Sequence, residues 1–485
     1  MFDLATLALD AVKLKGATYA DVRVMDMRQR DLSTKNGTVG TLAESSSLGL
    51  GIRALASGSW GFAATDRLTK EGITACAAEA VAIAKASALA KIKDVSMVPE
   101  QPYVDTWQNP YVKDPFRIPL EQQLDLLLAA DAEMRKVKGV TLAETSMQFR
   151  RSEEFFASSI GSRIHQTKVQ SGAGIVATSF QGSEIQKRSY PNSFGGQHML
   201  AGYELVESLD LVGNARRVGE ECIALHKAMQ CPEGASTIIL DSSQLGLQIH
   251  ESIGHPIELD RVLGMEANFA GMSFLTLEKL NTLRYGSEIV NVVADARLEH
   301  GSGLGTFGYD HEGVPAQCTD IIREGLFTGY LSNRETAAMI GLNRSGGTMR
   351  TESWNRLPII RMTNISIKPG TWKFDDLISG TDDAIYMETN RSWSIDDRRY
   401  HFQFSTEIGW EIKGGKRGRM IKNPSYSGIT TEFWNSCDAI CSRDHWTLWG
   451  TPNCGKGQPM QTMGTGHGAA PARFRNVRVG VAFSK

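Results

Sequence analysis

From Gly271 onward the chain reads as many short β-type runs punctuated by glycine, with Gly414-Gly415 placed as a hairpin turn. Strand signals at that spacing close into a barrel or stack as a sandwich, so the C-terminal half is expected to be a β-rich domain. The texture changes near Cys231. Just beyond it, Ser236–Leu240 (STIIL) reads as a short buried strand and Gln244–Gly254 as a helix. The expected chain is α+β, with an α/β domain over residues 1–230 and a barrel- or sandwich-like domain over residues 231–485.

The first half carries its own order. Leu4, Leu7, Ala8, Ala11 and Leu14 line one face of an amphipathic helix, and Asp21–Met27 alternates as a strand does. LGLGIRAL and WGFAAT read as two more strands around the Ser57-Gly58-Ser59 turn, and the alanine-rich Lys70–Ala90 reads as a helix. Pro99, Pro102, Pro110, Pro115 and Pro119 then mark an extended connector near 99–119. A helix over 120–138, strands over 145–150, 163–169 and 172–180, and a helix near 209–228 follow. Helix, strands, helix thus occurs twice, with Gly51-Ile52 and Gly174-Ile175 at comparable places, as in an internal duplication.

At 485 residues and 41% hydrophobic composition the chain can bury a large core without disulfides. Fifty-two basic against 54 acidic side chains leave a net charge of −2, so no overall field draws it to nucleic acid. The one basic cluster, Lys413 to Lys422, reads as a solvated hairpin. No apolar run approaches the roughly 20 residues of a membrane span. Asp3, Asp10 and Lys13 interrupt the N-terminal apolar stretch, which argues against a secretion signal, so the chain is expected to be cytoplasmic. Seven cysteines, an odd number, then point to reduced thiols, with any special one serving as ligand or nucleophile.

The chemistry concentrates in QIHESIGHPIE, residues 248–258, which contains His250-Glu251-x-x-x-His255. At 100° per residue an i,i+5 pair lies about 140° apart on a helix, so both histidines reach one metal only if the helix distorts or ends between them. Gly254 and Pro256 supply an ending, with His255 swinging in from the exit loop. Glu251 would then stand where it can take a proton from an activated water. Zinc hydrolases use three protein ligands, so a third must come from far along the chain. Cys454, in the glycine-bearing loop GTPNCGKGQP, is one candidate. Cys437 and Cys441, spaced as one helical face, His445 and His467 are rivals, and His467 is also a candidate substrate contact. Asp396-Asp397-Arg398-Arg399 reads as an exposed charged turn.

HESIGHPIELD, DHEGVPAQCTDIIREGLFTGYL (310–331), LPIIRMTN (357–364) and GTPNCGKGQP occur in this order, and together they resemble the TldD/PmbA family. The likeness covers most of residues 231–485 and is looser before them, in the strands around Gly51 and the STKNG turn at 33–37. The resemblance implies a zinc metallopeptidase acting on small or unfolded peptides, with His250, His255 and Cys454 as the zinc ligands and Glu251 as the catalytic glutamate. It also implies a dimer, either with itself or with a TldE/PmbA-like homologue that lacks the HExxxH motif. The competing expectation is a non-catalytic partner protein whose zinc is structural and closed by a fourth protein ligand.

Overall fold

The computed structural model describes residues 1–267, 270–457 and 459–482. Its first sheet is built on two long hairpins. Tyr19–Lys35 and Thr38–Ala56 pair antiparallel around Asn36-Gly37, both at positive φ, and Leu142–Ser158 pairs with Arg163–Gln181. The sheet runs Ser59–Thr65, Thr38–Ala56, Tyr19–Lys35, Leu142–Ser158, Arg163–Gln181, Val104–Gln108, with Glu184–Tyr190 and Gln197–Met199 also on Arg163–Gln181. Helices Phe2–Leu14 and Lys70–Ser87 bury their alanine-rich faces on one part of it. Leu120–Arg135 and Leu211–Leu225 cover another. The order helix, strands, helix therefore occurs twice, with three strands in the first block and four in the second.

Two details differ from the sequence reading. The expected strands at 163–169 and 172–180 are one strand, Arg163–Gln181, because Gly172 and Gly174 sit inside it without breaking it. Gly174 is needed for packing: a Cβ there would lie 2.6 Å from the Gly196 Cα. The proline-rich connector is also not all loop, since Val104–Gln108 joins the sheet edge in parallel with Arg163–Thr167.

The second half contains a closed barrel. Asp383–Ile395, Gly234–Leu240, Ala472–Val481, Pro424–Ile429 and His401–Lys413 pair in turn, and the last returns to the first. Gly414-Gly415 turns the chain from His401–Lys413 into Lys416–Lys422, both glycines at positive φ. The interior is aromatic: Phe433 stacks on Phe474 with centroids 4.1 Å apart, and Phe402, Phe404, Tyr426 and Trp434 surround them. Cys437 belongs to this core as part of a strand, Cys437–Ile440, with Cys441 directly after it, so the helical face expected for the two cysteines does not exist.

Beside the barrel stands a six-stranded sheet ordered Leu326–Phe327, Cys318–Arg323, Val292–Asp295, Asn364–Ile367, Gln461–Ala469, Thr447–Lys456. Helix Ser242–Ile249 packs against strands of both the barrel and this sheet and is buried along its whole length. Asp241 caps its N-terminus by accepting the Ser243 and Gln244 amides. Among the described residues no helix is long and apolar enough to cross a membrane.

Trp434 ties the barrel to the end of this helix, donating its indole N–H to Ser252 Oγ at 3.0 Å while fully buried. Replacing it with alanine removes that donor and opens a cavity, so Trp434→Ala is expected to lose about 3–5 kcal/mol of stability. Denaturant unfolding of the two proteins checks the value.

Candidate metal centre

The helix does not end between the two histidines; it widens. Residues His250–Gly254 form a π turn, and the His255 amide donates to the His250 carbonyl at 3.2 Å. That i→i+5 closure brings the fifth residue back over the first, which an α-helix cannot do. The two imidazole rings consequently lie 4.8 Å apart, centroid to centroid. His255 keeps helical backbone angles even though Pro256 follows it, where extended geometry was expected. Pro256 has no N–H to give the Ser252 carbonyl, and the Tyr285 hydroxyl donates to that oxygen instead. Gly254 is there for contact rather than termination, because a Cβ would meet Met362 Sδ at 2.2 Å.

Cys454 comes from a strand, Thr447–Lys456, and not from the loop the glycines suggested. A register shift between Thr451 and Cys454 leaves Cys454 opposite Met463 in Gln461–Ala469. Its Sγ lies 3.3 Å from His250 Nε2 and 3.7 Å from His255 Nε2, and the three potential ligand atoms all fall within 4.8 Å of one another.

The remaining ring nitrogens fix the tautomers. The Ile365 carbonyl can only accept, so His467 Nδ1, 3.3 Å away, donates and His467 Nε2 is left as an acceptor. His250 Nδ1 lies 2.7 Å from that nitrogen and therefore donates to it, leaving the His250 Nε2 lone pair toward Cys454. His255 Nδ1 lies 3.3 Å from the Glu258 carboxylate, which frees its Nε2 in the same way. Glu258 is in turn held by Arg261 at 2.7 Å and Lys456 at 3.5 Å. Burial pushes both His250 and His255 down to about 4, so they are neutral at pH 7. Burial alone would raise the Cys454 thiol, but the Arg361 guanidinium and then His255 outweigh it and hold it below its usual value. Arg361 also donates to the Cys454 carbonyl at 2.6 Å. Two bare imidazole nitrogens and an acidified thiol form a donor set that fits zinc.

Glu251 lies on the same cavity, of about 290 Å³, with Trp393, Asn453 and Arg399. Arg399 was expected in an exposed turn and is instead buried, with Nη1 2.6 Å from Glu251 Oε2. The turn itself explains this. The Asp396 carboxylate accepts the Tyr400 amide at 2.6 Å, Arg399 takes φ +66°, and its side chain is sent inward while Asp397 and Arg398 stay outside. Period-2 and period-3.6 patterns carry no signal for such a reversal. Glu258 did have a signal, standing three residues after His255, where a carboxylate can orient a ligand.

The rival ligands lie elsewhere. His467, the candidate substrate contact, is on strand Gln461–Ala469, fully buried and bonded to His250 on the side away from the cavity lining. Cys437 and Cys441 are in the barrel core, and His445 accepts the Phe374 amide. Among the described residues, His250, His255 and Cys454 are the group that converges.

Comparison with known proteins places the chain in a family. Residues 233–480 match the PmbA/TldA metallopeptidase C-terminal domain, and residues 20–84 match domain 1 of the same family. The chain belongs to the TldD/PmbA family of metallopeptidases. A metalloprotease from Methanothermobacter thermautotrophicus is 30% identical over 95% of both chains. Two crystal structures share the fold across 99% of both chains. One is described as a modulator of a DNA gyrase from Thermotoga maritima, with TM-score 0.78 and 16% identity. The other is TldE from Thermococcus kodakarensis, with TM-score 0.71 and 14% identity.

In this TldD/PmbA chain His467 touches the candidate ligand set through His250, so any effect it has on a metal held there passes through that ring. His467→Phe is therefore expected to weaken zinc affinity about 10–100-fold without removing a ligand. Competition with a chromophoric chelator measures it.

Proposed function

We propose that the protein is a zinc-dependent peptidase that hydrolyses peptide bonds in small or unfolded peptides, with Glu251 as the general base. The observation that carries this is the convergence of His250 Nε2, His255 Nε2 and Cys454 Sγ beside a buried carboxylate on a narrow cavity. A zinc ion bound by these three residues supplies Lewis acidity to a peptide carbonyl and to a water.

The chain's own groups do the rest. Arg399 holds Glu251 by Oε2, so the carboxylate presents its other oxygen to the water and takes its proton. Glu251 then returns the proton to the leaving amine. Phe194, Leu247 and Trp393 line the cavity and limit the water around the reacting groups. A space of about 290 Å³ admits an extended segment of chain and excludes a folded domain, which supports the substrate class. Work as a homodimer, or with a TldE/PmbA-like homologue, belongs to the same reading and is supported by the shared fold with TldE, as does a cytoplasmic location.

A structural zinc would need a fourth protein ligand. Cys437 and Cys441 are packed in the barrel core and His467 stands behind His250, so none of these rival side chains is placed to supply it.

Glu251→Gln is expected to lower hydrolysis of an unstructured peptide about 10²–10⁴-fold with bound zinc unchanged. Peptide cleavage followed by mass spectrometry, alongside zinc analysis of both proteins, checks it. An undiminished rate would remove Glu251 from the reaction.

A further inference from the structure

A second cavity, of about 220 Å³, adjoins the first across one hairpin. The metal cavity uses Thr451, Asn453, Cys454 and Gly455 of strand Thr447–Lys456. The second uses Thr462, Met463 and Gly464 of strand Gln461–Ala469 and is closed on its far side by the N-terminal sheet. Cys454 and Met463 are register partners, so the walls of the two cavities stand one strand spacing apart at this point, roughly 5 Å.

This cavity is short of negative charge. Lys168 and Arg350 both line it and lie close enough that the Arg350 charge acts on Lys168; each also stands near Phe307, with Lys168 Nζ 5.8 Å and the Arg350 guanidinium 5.9 Å from its ring centroid. Among the described residues neither is ion-paired. Arg350 is fixed by three carbonyls, of Met362, Leu304 and Gly464, and Lys168 makes no hydrogen bond. Two carboxylates line the cavity, and of these Glu154 acts on Lys168 but is shared with a second partner. Glu154 is bonded to His311 at 3.0 Å, and Glu352 accepts the Thr462 amide and pairs with Arg356. The Lys168 ammonium and the Arg350 guanidinium are both held away from water beside one carboxylate, Glu154, that is shared with His311, and an anion arriving there lowers the cost of burying them. Met25, Leu200 and Leu304 give the same cavity an apolar side. The occupant it fits carries a carboxylate on a partly apolar body and is small.

We propose that this cavity captures the free C-terminal carboxylate of a peptide, through Lys168 and Arg350, while the bond to be cut lies at the adjoining metal cavity. The inference rests on the peptidase reading and narrows it: the substrates are peptides that offer a chain end, and the products leaving the C-terminal side are short.

The test uses binding, so that it does not depend on turnover. The full-length Glu251→Gln protein, loaded with zinc, is titrated into N-terminally labelled unstructured peptides and followed by fluorescence anisotropy. One peptide ends in a free acid, one is the same sequence as a C-terminal amide, and one is an amide with an internal glutamate. A carboxylate bonded by two cations predicts tighter binding of the free acid by roughly tenfold or more. Adding Lys168→Gln should collapse that difference, and adding Lys168→Arg should retain it. Thermal unfolding shows that each variant is folded.

Equal affinities for acid and amide overturn the proposal, as does no binding by any peptide. So does an advantage that survives Lys168→Gln, or an internal glutamate that binds as tightly as the free end. If the acid is preferred but wild-type protein cleaves nothing, the peptidase reading fails and the carboxylate site stands.

Discussion

The hydrogen bond from the His255 amide to the His250 carbonyl holds the rest of the site together. Without that wider turn the two imidazoles diverge, and Cys454 meets one of them at most. The turn is held from several sides. Asp241 anchors the preceding helix, Trp434 and Gln248 bond Ser252 Oγ, and the Tyr285 hydroxyl takes the carbonyl that Pro256 leaves unmatched. The barrel and the six-stranded sheet thus meet on five residues of irregular helix: helix and loop residues packed beside the barrel fix the turn, and sheet residues supply Cys454 and His467.

Burial this deep demands that charge be matched. Glu258, Arg261, Lys456 and Asp260 form one buried network behind His255, and removing a single partner from such a group costs about 3–5 kcal/mol. Glu251 and Arg399 form a second pair on the cavity itself. Arg361 stands beside Cys454 with no carboxylate of its own among the described residues, which favours a thiolate at that position. The network around His255 orients that ring, the Glu251–Arg399 pair fixes a carboxylate on the cavity, and Lys168 and Arg350 are left with Glu154, itself bonded to His311, as the nearby counter-charge.

Much of this was legible in the residues. The spacing of His250 and His255 required that the helix either distort or stop, and the structure takes the first course. Gly254 and Pro256 suggested the second because both are common at helix ends, whereas here Gly254 answers a close approach to Met362 and Pro256 is served by Tyr285. Neither contact has a local signature. Cys454 was visible as a thiol among glycines but not as a strand residue, since the strand depends on pairing with Gln461–Ala469. Arg399 was hidden most completely. Its inward turn depends on Asp396 capping the turn and on a positive φ at a non-glycine residue, so only the fold shows that a charged run of four residues sends one of them to the Glu251 carboxylate.

The most direct test of the account is zinc content after reconstitution and desalting, in the wild-type chain and in Cys454→Ser. The three-ligand site predicts about one zinc ion per wild-type chain and severe loss in the variant, with the fold intact by circular dichroism. Zinc retained equally by both proteins would contradict the role of Cys454 and with it the site described here.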